Sequence, residues 1–479
     1  FAWTILLAAG LTACTDWLTV QPKTEVSKDD MFKSSGGFRD ALIGVYTLMR
    51  ENNYAPNGNL VTGMVEFIAN LWYTESNSES GDFAAHNYRG DAVERANGEL
   101  FLQQYKTITN LNQMLAYMEN GVLSSREYAL YKGEALGLRA YLHFDLIRLY
   151  GPMPMNVQEG RRYLPYETTI SLGNYTYSTY NEYMGALIAD LDSAEILLAR
   201  VDPIITTSNS VLNTTNEYRQ NRMNYYAVLA LKARVYLYAG EQARALDVAK
   251  KLLTDPKVNE YFPAVDPTKL LANQRNPDRV FSTEVLAGIY KKDRVAVYNS
   301  YFSSSSAGNN YLHPRKDFVS TNLFASETQD YRFQTWWQVS SGVGETGHML
   351  IKYKDIDKPS GETDSEYFYA IFMSLIRLSE VYYIAAECEP VLEDKYGWLN
   401  EIRGRRGLPV SPVISEEDFM TRLRVEYLRE FLGEGQIFFL YKRLFGNIIP
   451  SENGYDLNTY EAKEENYVLP MPSGEIENR

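Results

Sequence analysis

Histidine and cysteine are scarce in this chain, 4 and 2 of its 479 residues. Two cysteines cannot build a disulfide framework, and so few ligands exclude a Cys-rich zinc scaffold. No apolar run reaches 18 residues, which excludes a multi-span membrane protein. Positive charge is outweighed, with 47 Lys and Arg against 61 Asp and Glu, a net charge of -14. Such a surface repels phosphate backbones, so no nucleic-acid partner is expected. Also missing are a Gly-rich phosphate loop ending in Gly-Lys-Ser/Thr, a His-Glu-x-x-His helix and a Gly-x-Ser-x-Gly elbow. His86, His143, His313 and His348 stand alone along the chain and read as surface or satisfied core side chains. No cofactor is expected.

What is present is ordinary in bulk and unusual in detail. Hydrophobic residues make up 45% and charged residues 23%, as in a soluble globular protein. Tyrosine is abundant, 38 residues, and its apolar face with a hydroxyl suits both helix cores and ligand surfaces. Residues 1–10 are almost wholly apolar, and Leu11-Thr12-Ala13-Cys14 follows before the chain turns polar. This segment is similar to a bacterial lipoprotein lipobox, which implies a signal segment over 1–13 and a lipidated, palmitate-bearing Cys14. It lacks an initiator Met and a basic start, so the expected beginning lies upstream. With Cys14 lipidated, Cys388 has no disulfide partner. Each buried CH₂ of the acyl chains contributes about 0.8 kcal/mol to membrane binding.

Periodicity predicts a mainly α protein. A helix is expected from about Ser35, through Phe38, Leu42 and Met49. Residues 51–95 read as loop, and helices are expected over 97–119, 126–149, 179–199, 222–253, 371–388, 393–406 and 415–432. The 126–149 helix repeats apolar residues at Tyr131, Ala135, Leu138, Leu142, Leu146 and Leu149 and reads as amphipathic, stopped by Gly151-Pro152. Residues 257–365 lack helical periodicity and predict short strands. Ala233, Tyr236, Gly240, Ala245 and Pro256 fall close to tetratricopeptide-repeat spacing. The fold expected is a tetratricopeptide-repeat-like helical scaffold with a long irregular, partly β insertion.

Six segments in order carry a family resemblance. They are Cys14 with Trp17-Leu18, Gln21-Pro22, Phe32 and Gly37 to Leu42; Gly133-Glu134-Ala135-Leu136-Gly137-Leu138-Arg139-Ala140-Tyr141 running on to Leu149-Tyr150-Gly151; Ile376 to Tyr382; Leu399 to Arg403; Glu426 to Gln436; and Tyr467 to Pro472. Together they resemble the SusD/RagB family of outer-membrane lipoproteins of Bacteroidota. The end departs from the family's common closing Asn-Pro, with Asn478-Arg479 in its place. The resemblance implies a single domain over 14–479, an N-terminal part of about 14–220 and a C-terminal part of about 221–479. It also implies a surface-exposed lipoprotein of the outer membrane that captures an oligosaccharide or a peptide for a SusC-like TonB-dependent transporter.

Candidate ligand residues follow from chemistry. A sugar ring presents apolar C–H faces that stack on aromatic rings, and an aromatic in a polar loop has no obvious core to join. Trp72 and Tyr73 lie beside Glu75, Asn77 and Asp82. Tyr301, Phe302 and Tyr311, with Tyr298, surround a Ser-rich stretch. Trp336 of the Trp336-Trp337 pair is added, although the preceding Gln329 to Arg332 resembles a structural strand of the family. Glu426, Glu430 and Glu434, spaced at i, i+4 and i+8 beside Arg422, Arg424 and Arg429, predict an ion-paired scaffold face rather than a catalytic pair. Asp355, Asp357 and Glu366 match calcium-loop spacing, but Pro359 and Ser360 do not fit it, so no metal is expected. The readings left open are a nutrient-binding lipoprotein, a scaffold that binds only proteins, and a glycan hydrolase. The lack of a catalytic constellation argues against the last.

Overall fold

Polar residues at the ends of apolar runs set where the helices start. The computed structural model describes residues 28–54, 60–74, 78–170, 175–206, 219–272, 276–303, 311–314, 317–342, 345–356, 368–444, 449–450, 459–460 and 463–476. The Ser125–Tyr150 helix opens with a capping box, in which Ser124 and Glu127 each accept the other's backbone N–H. Thr179 and Glu182 do the same for Tyr180–Val201. Every residue from Gly133 to Tyr150 is buried, so this helix is enclosed on all sides over most of its length rather than amphipathic. Gly133 and Gly137 make that enclosure feasible. A Cβ at either would stand 2.7 Å from a side-chain carbon, Leu198 Cγ or Met223 Cγ.

Neighbouring helices then stack. Ser35–Tyr54 packs on Asp91–Tyr117, which packs on Ser125–Tyr150, which packs on Tyr180–Val201. Tyr225–Tyr238 lies against Gln242–Leu253, and that pair continues into Leu378–Cys388 and Leu392–Arg405. This is the mainly helical, tetratricopeptide-like scaffold expected. Ala233 and Ala245 are fully buried where the pair meets, and Gly240 turns the chain at φ 80°. Pro256 takes the first position of a new short helix, Pro256–Tyr261, capped by Asp255.

Several elements differ from the sequence reading. The 51–95 region holds two short helices, Met64–Ile68 and Glu79–Ala84, and the next helix starts at Asp91. Residues 372–377 form a strand rather than the start of a helix. Phe372–Arg377 pairs antiparallel with Val285–Tyr290 and is buried at all six positions. Periodicity alone cannot separate a fully buried strand from a buried helix. The 257–365 region carries the expected strands, including the hairpin Trp337–Gly342 with Glu345–Leu350, together with helices Arg294–Tyr301 and Tyr331–Trp336. The stretch Gln329 to Arg332, read as strand, therefore runs into a helix at Tyr331. Among the described residues no helix is long and apolar enough to cross a membrane.

A charged cluster lies inside the C-terminal half. Glu430 accepts hydrogen bonds from Arg406 at 2.6 and 3.0 Å, from Arg332 at 2.9 Å and from Arg377. Glu426 accepts from Arg332 at 2.6 Å, Arg403 at 2.7 Å and Arg429 at 3.1 Å. Glu434, past the end of the helix, pairs with Arg377 and Lys352. These carboxylates are ion-paired as expected and buried, so the scaffold face is part of a core network. Of the three arginines expected to pair with them, only Arg429 does so; Arg422 pairs with Asp418. In the N-terminal half Arg139 grips Asp190 with two bonds of 2.7 Å, and Glu134 receives Tyr46, Arg219 and Arg222.

Candidate functional site

The segment that follows Met64–Ile68 is held in shape by two left-handed residues, Asn70 at φ 61° and His86 at φ 55°. Backbone strain of this kind collects where surrounding structure fixes a functional loop. His86 is buried, and its Nε2 lies 3.0 Å from the Ile68 carbonyl. A carbonyl only accepts, so Nε2 carries the proton. Burial pushes the His86 imidazole down to about 4, so it stays neutral.

Beyond Asn70 the chain meets residues 311–314. The Tyr73 N–H donates to the His313 carbonyl at 2.9 Å, and the Leu312 N–H donates to the Tyr301 carbonyl at 2.6 Å. These bonds set three rings in a row. The Tyr73 and His313 centroids are 5.0 Å apart, tilted by 35°, and Tyr311 stacks on His313 at 4.7 Å. Tyr73 is 41% exposed, while His313 and Tyr311 are half-buried. The exposed Tyr73 ring, backed by His313 and by fixed backbone, can stack on the C–H face of a ring-shaped ligand.

The other sequence candidates are core. Trp72 is buried, its Nε1 donates to Glu66 at 2.7 Å, and its ring meets Phe302 edge-on at 5.8 Å. Phe302 is itself fully buried, with Tyr353 5.7 Å away. Tyr301 and Tyr298 are buried as well. Trp336 is buried with Lys352 Nζ 3.8 Å from its ring centroid and the Phe281 ring 4.7 Å away, so it has no free face. Trp337 is also buried. Asp82 serves a turn, accepting from Asn87 at 3.0 Å. Cys14, Glu75, Asn77, Asp357, Pro359, Ser360 and Glu366 lie outside the described residues. Among the described residues no three His, Cys, Asp or Glu side chains gather as they would around a metal.

Glu66 explains why Trp72 turns inward. This buried carboxylate also accepts the N–H groups of Gly433 at 3.1 Å and Gly435 at 2.6 Å. Both glycines have positive φ, 80° and 68°, and a Cβ on Gly435 would reach within 2.7 Å of Val61 Cα. Burial pushes Glu66 up to about 7 despite its three donors. The partner loop is distant in sequence, so the local polarity around Trp72 gave no sign of it.

Comparison with known proteins agrees with this fold. A family model described as the SusD family matches residues 320–479, and one described as starch-binding associating with outer membrane matches residues 16–237. This chain belongs to the SusD/RagB family. A SusD superfamily protein from Bacteroides thetaiotaomicron superposes with a TM-score of 0.70 at 21% identity, covering 93% of this chain and 98% of its own. A laminarin-binding SusD-like protein gives 0.64 at 16% identity, with the same coverage. Surface glycan-binding protein A from Bacteroides uniformis gives 0.66 at 18% identity, again covering 93% and 98%. In sequence, SusD-like protein P25 of Formosa agariphila is 18% identical over 302 residues, 59% of this chain. The match spans 50% of that relative's length.

His313 is the member of the aromatic row that sequence reasoning passed over. Its signal was faint: it stands two residues after Tyr311, and side chains at i and i+2 of an extended segment share a face.

Proposed function

We propose that this SusD-family chain is a non-catalytic glycan-binding protein of the outer membrane. It holds an oligosaccharide on the Tyr73–His313–Tyr311 row and hands it to a SusC-like TonB-dependent transporter. The observation that carries the reading is the row itself, because it is the place where the sequence-predicted aromatics reach solvent. Related structures described as binding laminarin or surface glycan support a glycan over a peptide, and the family description supports outer-membrane association. Lipid on Cys14 would anchor the chain. Glu426, Glu430 and Glu434 are locked to arginines or lysine and offer no free acid or base.

The test is calorimetric titration with laminarihexaose and maltohexaose. One stacked aromatic contributes about 1–2 kcal/mol, so Tyr73→Ala should weaken binding roughly tenfold at unchanged thermal midpoint. Cleavage of either sugar, or normal binding by Tyr73→Ala together with Tyr311→Ala, would contradict the reading.

A further inference from the structure

The segment that carries Tyr73 also walls, through Gly63, Met64 and Phe67, a cavity of about 220 Å³. Its apolar side is Met64, Phe67 and Phe83, with the Phe67 and Phe83 rings nearly parallel at 6.2 Å. Its charged side is Glu79 at the start of the Glu79–Ala84 helix, with Arg95 and Glu99 on the Asp91–Tyr117 helix. Tyr301 completes the wall. The backbone carbonyl of Tyr301 is bound by Leu312, which lies between Tyr311 and His313, so cavity and row share one edge.

Arg95 and Glu99 have no hydrogen bond or ion pair among the described residues. Arg95 and Glu99 are exposed and Glu79 is half-buried, so the mouth of the cavity offers charged groups to an occupant that both donates and accepts, while Phe67 and Phe83, 2% and 3% exposed, close its base without a free ring face. A sugar hydroxyl does both: it donates to a carboxylate and accepts from a guanidinium. The volume is below the ~300–1,000 Å³ of pockets for drug-sized ligands, which limits the occupant to about one ring. Two carboxylates face one guanidinium, in a chain of net charge -14, so a uronate or sulfate group is repelled.

We propose that this cavity is a second subsite, taking one uncharged pyranose at the end or on a branch of the glycan held by the aromatic row. The proposal rests on the glycan-binding reading above and deepens it to a substrate class: neutral chains with a free terminal or branching ring.

The experiment titrates the full chain with laminarihexaose, maltohexaose, triguluronate and trialanine. Variants are Tyr73→Ala, the double variant Arg95→Ala with Glu99→Ala, and Ala92→Phe, which fills the cavity from its partly exposed rim. Both cavity variants should bind the preferred neutral hexaose about tenfold more weakly with an unchanged thermal midpoint. If they bind within about twofold of the wild type while Tyr73→Ala loses affinity, the subsite is overturned and the row stands. Tighter binding of triguluronate or trialanine than of either hexaose overturns the assigned class. Absence of binding to both hexaoses overturns the subsite and the glycan reading together.

Discussion

Glu430 offers the sharpest test of what holds this fold together. Its carboxylate is fully buried and receives three guanidinium groups, those of Arg332, Arg377 and Arg406. Burial alone would push it up, but the charges of Arg406, Arg377 and Arg332 hold it well below the usual carboxylate range. Glu430→Gln keeps the volume and removes the charge. Breaking a buried ion pair costs about 3–5 kcal/mol, and here the lower end applies, because every arginine keeps another carboxylate. Arg332 retains Asp330 and Glu426, Arg377 retains Glu434, and Arg406 retains Glu284 through bonds of 2.9 and 2.7 Å. The expected loss is therefore about 3 kcal/mol, read as a lowered urea midpoint by circular dichroism at pH 7.5. Glu284→Gln should cost less, about 1–3 kcal/mol, since it leaves Arg406 short of one of its two partners and otherwise loosens a 4.0 Å contact with Arg405. A Glu430→Gln loss below about 1 kcal/mol, within reach of an exposed pair, would refute the claim that this cluster organises the C-terminal half. So would a larger loss for Glu284→Gln.

Two further predictions concern structure and one concerns anchoring. Glu66→Leu orphans Trp72 Nε1 and the Gly433 and Gly435 N–H groups at about 1–3 kcal/mol each, so the thermal midpoint should fall; an unchanged midpoint would show that the clamp is not needed. Acid should destabilise the fold: His86 and His143, lowered by burial to about 4 and about 3, contribute stability above pH 6.5 that is lost as pH falls through those values. Glu327, pushed up by burial yet held down to about 2 by Arg403 and Arg429, loses its contribution from pH 4.5 downward. Glu66 acts in the opposite sense between pH 7 and 4.5, so thermal melts should show a shallow decline there and a steep one below it; a midpoint that rises below pH 4.5 would contradict these assignments. Cys14→Ala should move the protein out of the outer-membrane fraction, and retention there would remove the lipid anchor from the proposal.

The scaffold was legible because its signals are local or short-range. Gly133 and Gly137, four residues apart, mark close approach between helices, and Glu134 and Arg139 beside them are the charges that approach buries. Arg377, Arg403 and the Glu426–Glu434 stretch were recognisable as separate segments, yet nothing local showed that they meet in one core network. The strand at 372–377 was misread because a segment buried on both faces loses its alternation. The site was legible only in part for the same reason. Tyr73 and Tyr311 do reach solvent, but Trp72, next to Tyr73, points to a carboxylate whose other partners lie more than 360 positions away.

That long connection bears on how the aromatic row can bind at all. A few stacked rings give a small favourable term, and loops that must order on binding would consume it. Here the ordering is already in place. Glu66 ties the Tyr73 segment to Gly433 and Gly435, and the intervening Glu434 is paired with Arg377 and Lys352 in the buried charge cluster. Tyr73 is in turn bonded to His313 through the backbone. The exposed ring thus stands two bonded steps from the buried charge cluster, and in the proposed function a ligand would meet a surface already fixed in shape. In the proposed function weak contacts would then suffice for capture, and because little structure would form on binding, little would have to be undone on release.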